Sequence, residues 1–121
     1  HLNEGGSITL VSGSPARTYP KDLSALSAVG GAVEAVVKTV SREIAPARRI
    51  NVVSPGVIDT PMVTIEDKAK REAAYTAMTK DYLIPRAGTA EEVAQGLLFV
   101  IKNDFVTGTI VDVDGGWLLS D

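Results

Sequence analysis

Three short runs of aliphatic and β-branched residues alternate along the chain with longer segments whose apolar positions recur at intervals of three and four. The runs are Ile8-Thr9-Leu10-Val11, Ile50-Asn51-Val52-Val53 and Thr109-Ile110-Val111-Asp112-Val113, predicting strands near residues 8–12, 50–54 and 109–113. The first two have so few polar positions that they are expected to be largely buried. Between them, Leu26, Val29, Val33, Val36, Val37, Val40 and Ile44 fall on one face of a helix predicted over residues 26–45. Pro46 has no amide proton to continue it, so the pattern stops there. A second helix is predicted over residues 64–83, opened by Thr64 with Asp67 three residues on and carrying the charged run at 66–72 towards solvent. The third, over residues 89–101, starts at Thr89. Its hydroxyl can accept the Glu92 amide while the Glu92 carboxylate accepts the amide of Thr89. Val93, Leu97, Leu98 and Ile101 then point inward.

Strand, helix, strand, helices, strand is the order that builds a parallel sheet with right-handed crossovers, so the fold class is α/β. Three strands make only one half of a doubly wound sheet, whose nucleotide site forms where strand order reverses between two halves.

The 121 residues, 45% hydrophobic and 22% charged, allow one domain at most, and no repeat or low-complexity tract divides residues 1–121. The net charge of -3 is spread over mixed charges. That pattern argues against a nucleic-acid footprint or a polybasic membrane patch, and for small molecules or proteins as partners. The absence of cysteine excludes disulfides, thiolate metal ligands and cysteine nucleophiles from this chain. No apolar stretch approaches the roughly 20 residues of a membrane-spanning helix, and no charged-then-apolar leader opens the chain, which is therefore expected to be cytoplasmic. The first residue is His1, so the chain is expected to begin after processing or partway through a longer polypeptide. No His, Asp and Glu cluster has metal-ligand spacing, and no metal site is expected; Asp112 and Asp114 read as solvated or turn residues, and His1 as a disordered terminus.

The segment at residues 49–62, Arg-Ile-Asn-Val-Val-Ser-Pro-Gly-Val-Ile-Asp-Thr-Pro-Met, carries the most specific signal. A strand brings the chain to the sheet's C-terminal edge, and Pro55-Gly56 turns it with little side-chain bulk, so a ligand can approach the backbone. This segment resembles the sixth strand and following loop of the short-chain dehydrogenase/reductase family. Residues 6–12 are similar to that family's fifth strand. Residues 85–94, with Val106-Thr107-Gly108 and Val113-Asp114-Gly115-Gly116-Trp117, are similar to its last helix, last strand and tail. The resemblance implies the C-terminal half of a Rossmann-like sheet, a nicotinamide cofactor, NAD or NADP, and an oxidoreductase function. It also implies cofactor contacts at Pro55, Gly56, Ile58 and Thr60, and pairing of the long helix with its copy across a dimer.

The departures concern catalysis. The family uses a Tyr hydroxyl for proton transfer, a Lys four residues on along the same helical face to tune it, and a Ser to hold the substrate oxygen. In the register set by residues 31–35, Glu43 and Pro46, the Tyr position falls on Leu26, the Lys position on Gly30 and the Ser position on Gly13, between Ser12 and Ser14. No slip restores the pair, because the helix has no tyrosine and its only lysine is Lys38. No residue is therefore assigned as catalytic. Tyr19 and Lys21, separated by Pro20 and followed by Asp22, lie in the loop before the helix, where an exposed loop tyrosine is the simpler reading. Gly5-Gly6 precedes a strand, the wrong context for a phosphate-cradling turn.

Three readings follow. The chain is part of an NAD(P)-dependent oxidoreductase and inactive alone, its partner a homo-oligomer mate or the missing N-terminal half. It is a non-catalytic family member that senses nucleotide or pairs with an active subunit. Or it is an enzyme with Tyr19 as a rearranged acid.

Overall fold

The computed structural model describes residues 2–120. Strand β1 (Ser7–Val11) leads through a four-residue helix, α1 (Pro15–Thr18), to the long helix α2 (Ser24–Ile44). Strand β2 (Arg49–Pro55) follows, then the two-residue strand β3 (Ile58–Asp59), helix α3 (Lys68–Met78), the short strand β4 (Gly88–Thr89), helix α4 (Ala90–Lys102) and strand β5 (Ile110–Val113). A 3₁₀ turn (Trp117–Leu119) ends the described chain.

The main sheet has the order β1-β2-β5 and is parallel throughout, with Leu10 opposite Val52 and Ser54 opposite Asp112. β3 and β4 form a second parallel pair. β2 is the central strand and its residues from Ile50 to Ser54 are buried, as the apolar run predicts. β1 departs from expectation. It sits at an edge and is only half-covered, with Val11 exposed, because β2 is its sole neighbour in the sheet.

Val37 of α2 packs on Ile50 and Val52 of β2, ringed by Ile8, Leu10, Val33, Val40, Ile44 and Ile110. Burying Val37, Ile50 and Val52 contributes about 1.5–3 kcal/mol each. Two polar clamps hold the far end of the sheet. The Arg49 guanidinium donates to the carbonyls of Val100 and Ile101, both at 2.9 Å, satisfying the end of α4. The buried Asn51 amide donates to the Val106 carbonyl at 2.9 Å and its oxygen accepts the Thr109 amide at 3.1 Å, tying the α4–β5 connection to β2.

α4 opens with the capping box expected at Thr89 and Glu92. α3 is shorter than its charge pattern suggests. Asp67, not Thr64, is its N-cap, accepting the Lys70 amide at 2.9 Å from an extended backbone, so the helix starts at Lys68. It stops at Met78 because Thr79, fully buried, turns the chain and bonds back to the Tyr75 carbonyl at 2.8 Å. α1 occupies a stretch expected to be loop. Pro15 begins it with a preset backbone angle, and Tyr19 closes it in the left-handed region at φ 51°.

Candidate nucleotide-facing site

All three strands of the main sheet deliver their C-terminal ends to one edge, where Ser12 to α1, the turn after Pro55 and the loop after Val113 meet. The turn at Pro55-Gly56 is held from several sides. The Ser14 amide donates to the Pro55 carbonyl at 3.0 Å, and the Gly56 amide to the Val113 carbonyl at 3.1 Å. A Cβ on Gly56 would lie 2.9 Å from the Asp114 Cα, so the close approach of the two loops requires glycine. Asp114, buried, caps the 3₁₀ turn through the amides of Gly116 at 2.9 Å and Leu118 at 3.0 Å, the turn role its sequence context suggests.

The next peptide is oriented by its neighbours. The Val57 carbonyl accepts the Gly88 amide at 2.9 Å, and in a planar trans peptide the Ile58 amide must then point the opposite way, away from β4. No protein group among the described residues receives that amide. Thr60 is pinned through its carbonyl, which accepts from Val63 at 3.1 Å and from Arg71 at 3.2 Å. Arg71 also pairs with Asp59, while the Tyr75 phenol donates to Asp59 at 3.0 Å. Pro55, Gly56, Ile58 and Thr60 thus lie along one continuous segment at the sheet's C-terminal edge, fastened from behind by the α3 side.

The sequence register places the expected proton-transfer positions on Leu26 and Gly30 of α2. Leu26 is 54% exposed on α2. Gly30 is buried, and a Cβ there would fall 2.9 Å from the Cβ of Ala16 and 3.6 Å from the Gly13 carbonyl. α1 therefore fills the space a longer side chain at position 30 would enter. The serines flanking Gly13 are both committed: Ser12 donates to Glu34 at 3.0 Å, and the fully buried Ser14 donates to the Pro55 carbonyl at 3.3 Å and Asp114 at 3.4 Å. Sequence reasoning missed the group that fastens α1. Arg17 pairs with the buried Glu34 at 3.0 Å and with Asp112, so Asp112 is a partner in a charge network and not merely a solvated residue. The only signal in sequence was an acidic residue on the apolar side of α2, at Glu34. Tyr19, the C-cap of α1, is 74% exposed. His1 lies outside the described residues.

Among the described residues no group of His, Asp and Glu could hold a metal ion, and no helix is long and apolar enough to cross a membrane.

The family model described as enoyl-(acyl carrier protein) reductase matches residues 1–118. A short-chain dehydrogenase/reductase of Stachybotrys chlorohalonatus, ATR9, is 34% identical over 113 residues, covering 93% of this chain and 44% of the relative. The 3-oxoacyl-[acyl-carrier-protein] reductase FabG of Thermotoga maritima is 34% identical over 118 residues, covering 93% and 43%. Among solved structures, a small-chain dehydrogenase in complex with NADPH superposes with a TM-score of 0.89 at 37% identity, covering 98% of this chain and 54% of that one. The MalC reductase/Diels-Alderase of Malbranchea aurantiaca gives 0.84 at 33% identity, covering 98% and 44%. The chain belongs to the short-chain dehydrogenase/reductase family of oxidoreductases. It spans about half the length of the curated relatives it matches.

Proposed function

We propose that this chain is the nicotinamide-facing half of an NAD(P)-binding short-chain dehydrogenase/reductase-like protein that has lost the family's proton-transfer pair, and that it does not turn over carbonyl substrates by itself. The observation that carries the reading is the closure of position 30: α1 lies against Gly30, so no cationic side chain reaches the site from there. Leu26 has no proton to give, and the two serines beside Gly13 already hold protein groups.

The cofactor-side segment fits the group the family implies. The Ile58 amide is turned away from β4 and has no protein partner among the described residues, the geometry of a donor for a carboxamide oxygen. Gly56 keeps the turn free of side-chain bulk, and Thr60, two residues after Ile58, has its backbone pinned. A nicotinamide cofactor, when bound, supplies or accepts hydride. This chain's own residues orient it but move no proton, a step that typically contributes about 10² to 10⁴ in rate. The phosphate-cradling turn is not among these residues, so tight binding calls for a further segment.

The exposed apolar residues Leu26, Val29 and Val36 along α2, together with the half-covered β1, support a partner surface: a second copy, or the segment completing the sheet. The same exposure supports the second reading, a non-catalytic member that senses nucleotide or pairs with an active subunit. A cytoplasmic location accords with either.

The test uses protein made from the complete coding sequence. It should bind NADPH or NADH in a fluorescence titration and show no carbonyl reduction above background across ketone and aldehyde substrates. Cofactor-dependent turnover would overturn the proposal, and its loss in Tyr19→Phe would locate the acid at Tyr19.

A further inference from the structure

Tyr82, which follows α3, belongs to no part of the function argued so far. It is a buried aromatic residue, and its ring is packed against two neighbours. It stacks on Trp117 with centroids 5.3 Å apart and planes 24° from parallel. It also crowds Gly115, where a Cβ would come within 3.1 Å of the ring, and the Ile84 amide donates to the Gly115 carbonyl at 2.8 Å. Its own backbone is fixed by a bond to the Thr79 carbonyl at 3.1 Å. A phenol held this rigidly presents its oxygen at one point.

That point is the amide of Val57, which donates to the Tyr82 oxygen at 3.2 Å. Val57 directly follows the Pro55-Gly56 turn. Its amide is thus held by Tyr82 and its carbonyl by Gly88, so two successive peptide planes, Gly56–Val57 and Val57–Ile58, have their orientations set. Tyr75 supports the other end of the segment through Asp59. The direction of the Ile58 amide is the product of these bonds, and the residues supplying them, Tyr75 in α3 and Tyr82 and Gly88 between α3 and α4, are far from the turn in sequence.

We propose that Tyr82 is a positioning residue for the nicotinamide half of a bound dinucleotide, acting through the Val57 amide on the backbone of Ile58. The proposal rests on the nucleotide-binding reading above and adds to it a residue, a mechanism and a part of the ligand. Replacing the phenol oxygen by hydrogen in Tyr82→Phe keeps the ring and its stack on Trp117 but frees the Val57 amide. Loss of one such bond is expected to weaken a ligand that depends on that geometry by roughly three- to tenfold.

The experiment uses protein made from the complete coding sequence, wild type and Tyr82→Phe, titrated calorimetrically with NADPH and NADH and, in parallel, with ADP-ribose and its 2′-phosphate, which lack the nicotinamide. The expected result is a roughly three- to tenfold rise in the dinucleotide Kd with unchanged affinity for the ADP-ribose compounds. Hydrogen exchange at the Val57 amide should be faster in the variant. A purely structural role would instead lower affinity for all ligands together, or leave all of them unchanged while lowering only stability. Either outcome overturns the proposal. Wild-type protein that binds no dinucleotide would overturn the nucleotide-binding reading itself, a failure visible before any variant is compared.

Discussion

Gly30 and Gly31 are neighbours in the interior of α2, and the structure gives them opposite consequences. In a helix interior, glycine to alanine is worth about 1 kcal/mol in favour of alanine. At Gly31 nothing lies within 4 Å of an added Cβ, so Gly31→Ala should realise most of that gain, about 0.5–1 kcal/mol. At Gly30 the added Cβ meets the Ala16 Cβ at 2.9 Å, well inside ordinary carbon–carbon contact, with the Gly13 carbonyl at 3.6 Å behind it. α1 has little freedom to retreat. Ser14 anchors its start to Pro55 and Asp114, and Arg17 anchors its end to Glu34 and Asp112. Overpacking of this kind costs about 1–3 kcal/mol. Set against the helix gain, Gly30→Ala should be net destabilising by about 1 kcal/mol. The two variants should therefore differ by about 2 kcal/mol in opposite directions from wild type. The assay is urea unfolding of protein made from the complete coding sequence, read as a shift in midpoint at constant slope. Ala16→Gly removes the opposing methyl, so the double variant Gly30→Ala with Ala16→Gly should be more stable than the sum of the singles predicts. If Gly30→Ala stabilises as much as Gly31→Ala, α1 does not close position 30 and the case for a lost lysine loses its physical basis. The same contact means that restoring the family pair by Leu26→Tyr and Gly30→Lys requires Ala16→Gly as a companion.

Three further outcomes are expected. Burial pushes the Tyr82 hydroxyl up to about 12, so the stability this group supplies is present below its usual pKa of 10.0 and lost as pH rises through about 12; alkaline unfolding should lose that part of its slope in Tyr82→Phe. Arg17→Met leaves the buried Glu34 without its cation and should cost about 2 kcal/mol by urea unfolding, below the range for fully buried pairs because Arg17 is partly exposed; a smaller penalty in Arg17→Met with Glu34→Gln would confirm the pairing, and simple additivity would refute it. The Arg86 guanidinium, followed by the Thr89 amide, holds the Glu92 carboxyl down at about 2, against the usual 4.5. Its contribution is therefore present above pH 4.5 and lost as pH falls towards about 2; Glu92→Gln should flatten that acid limb, and Thr89→Ala should cost about 1 kcal/mol at neutral pH by removing the cap.

The alternation of β-branched runs with three-and-four spaced apolar positions was enough to fix the α/β class, the three main strands and the two helices α2 and α4, because each is set by local periodicity and by punctuation at Pro46 and Thr89. The strand ending at Pro55 and the turn at Pro55-Gly56 were legible for the same reason, whereas β3 at Ile58–Asp59, in a stretch expected to be loop, forms only by pairing with the remote β4. The order of the strands decided the rest. β1 looked buried from its composition, yet at the sheet's edge it is half-covered, and no property of residues 7–11 alone records which strand becomes central. The end of α3 was set by the docking of Thr79 and Tyr82, not by its charge pattern. The bonds that give the site its shape join residues remote in sequence: Arg17 to Asp112, Ser14 to Asp114, Tyr82 to Val57. Such pairs carry no short-range signal, since hydrogen bonds and ion pairs depend on a few ångströms of separation that only the closed sheet and its packed helices create.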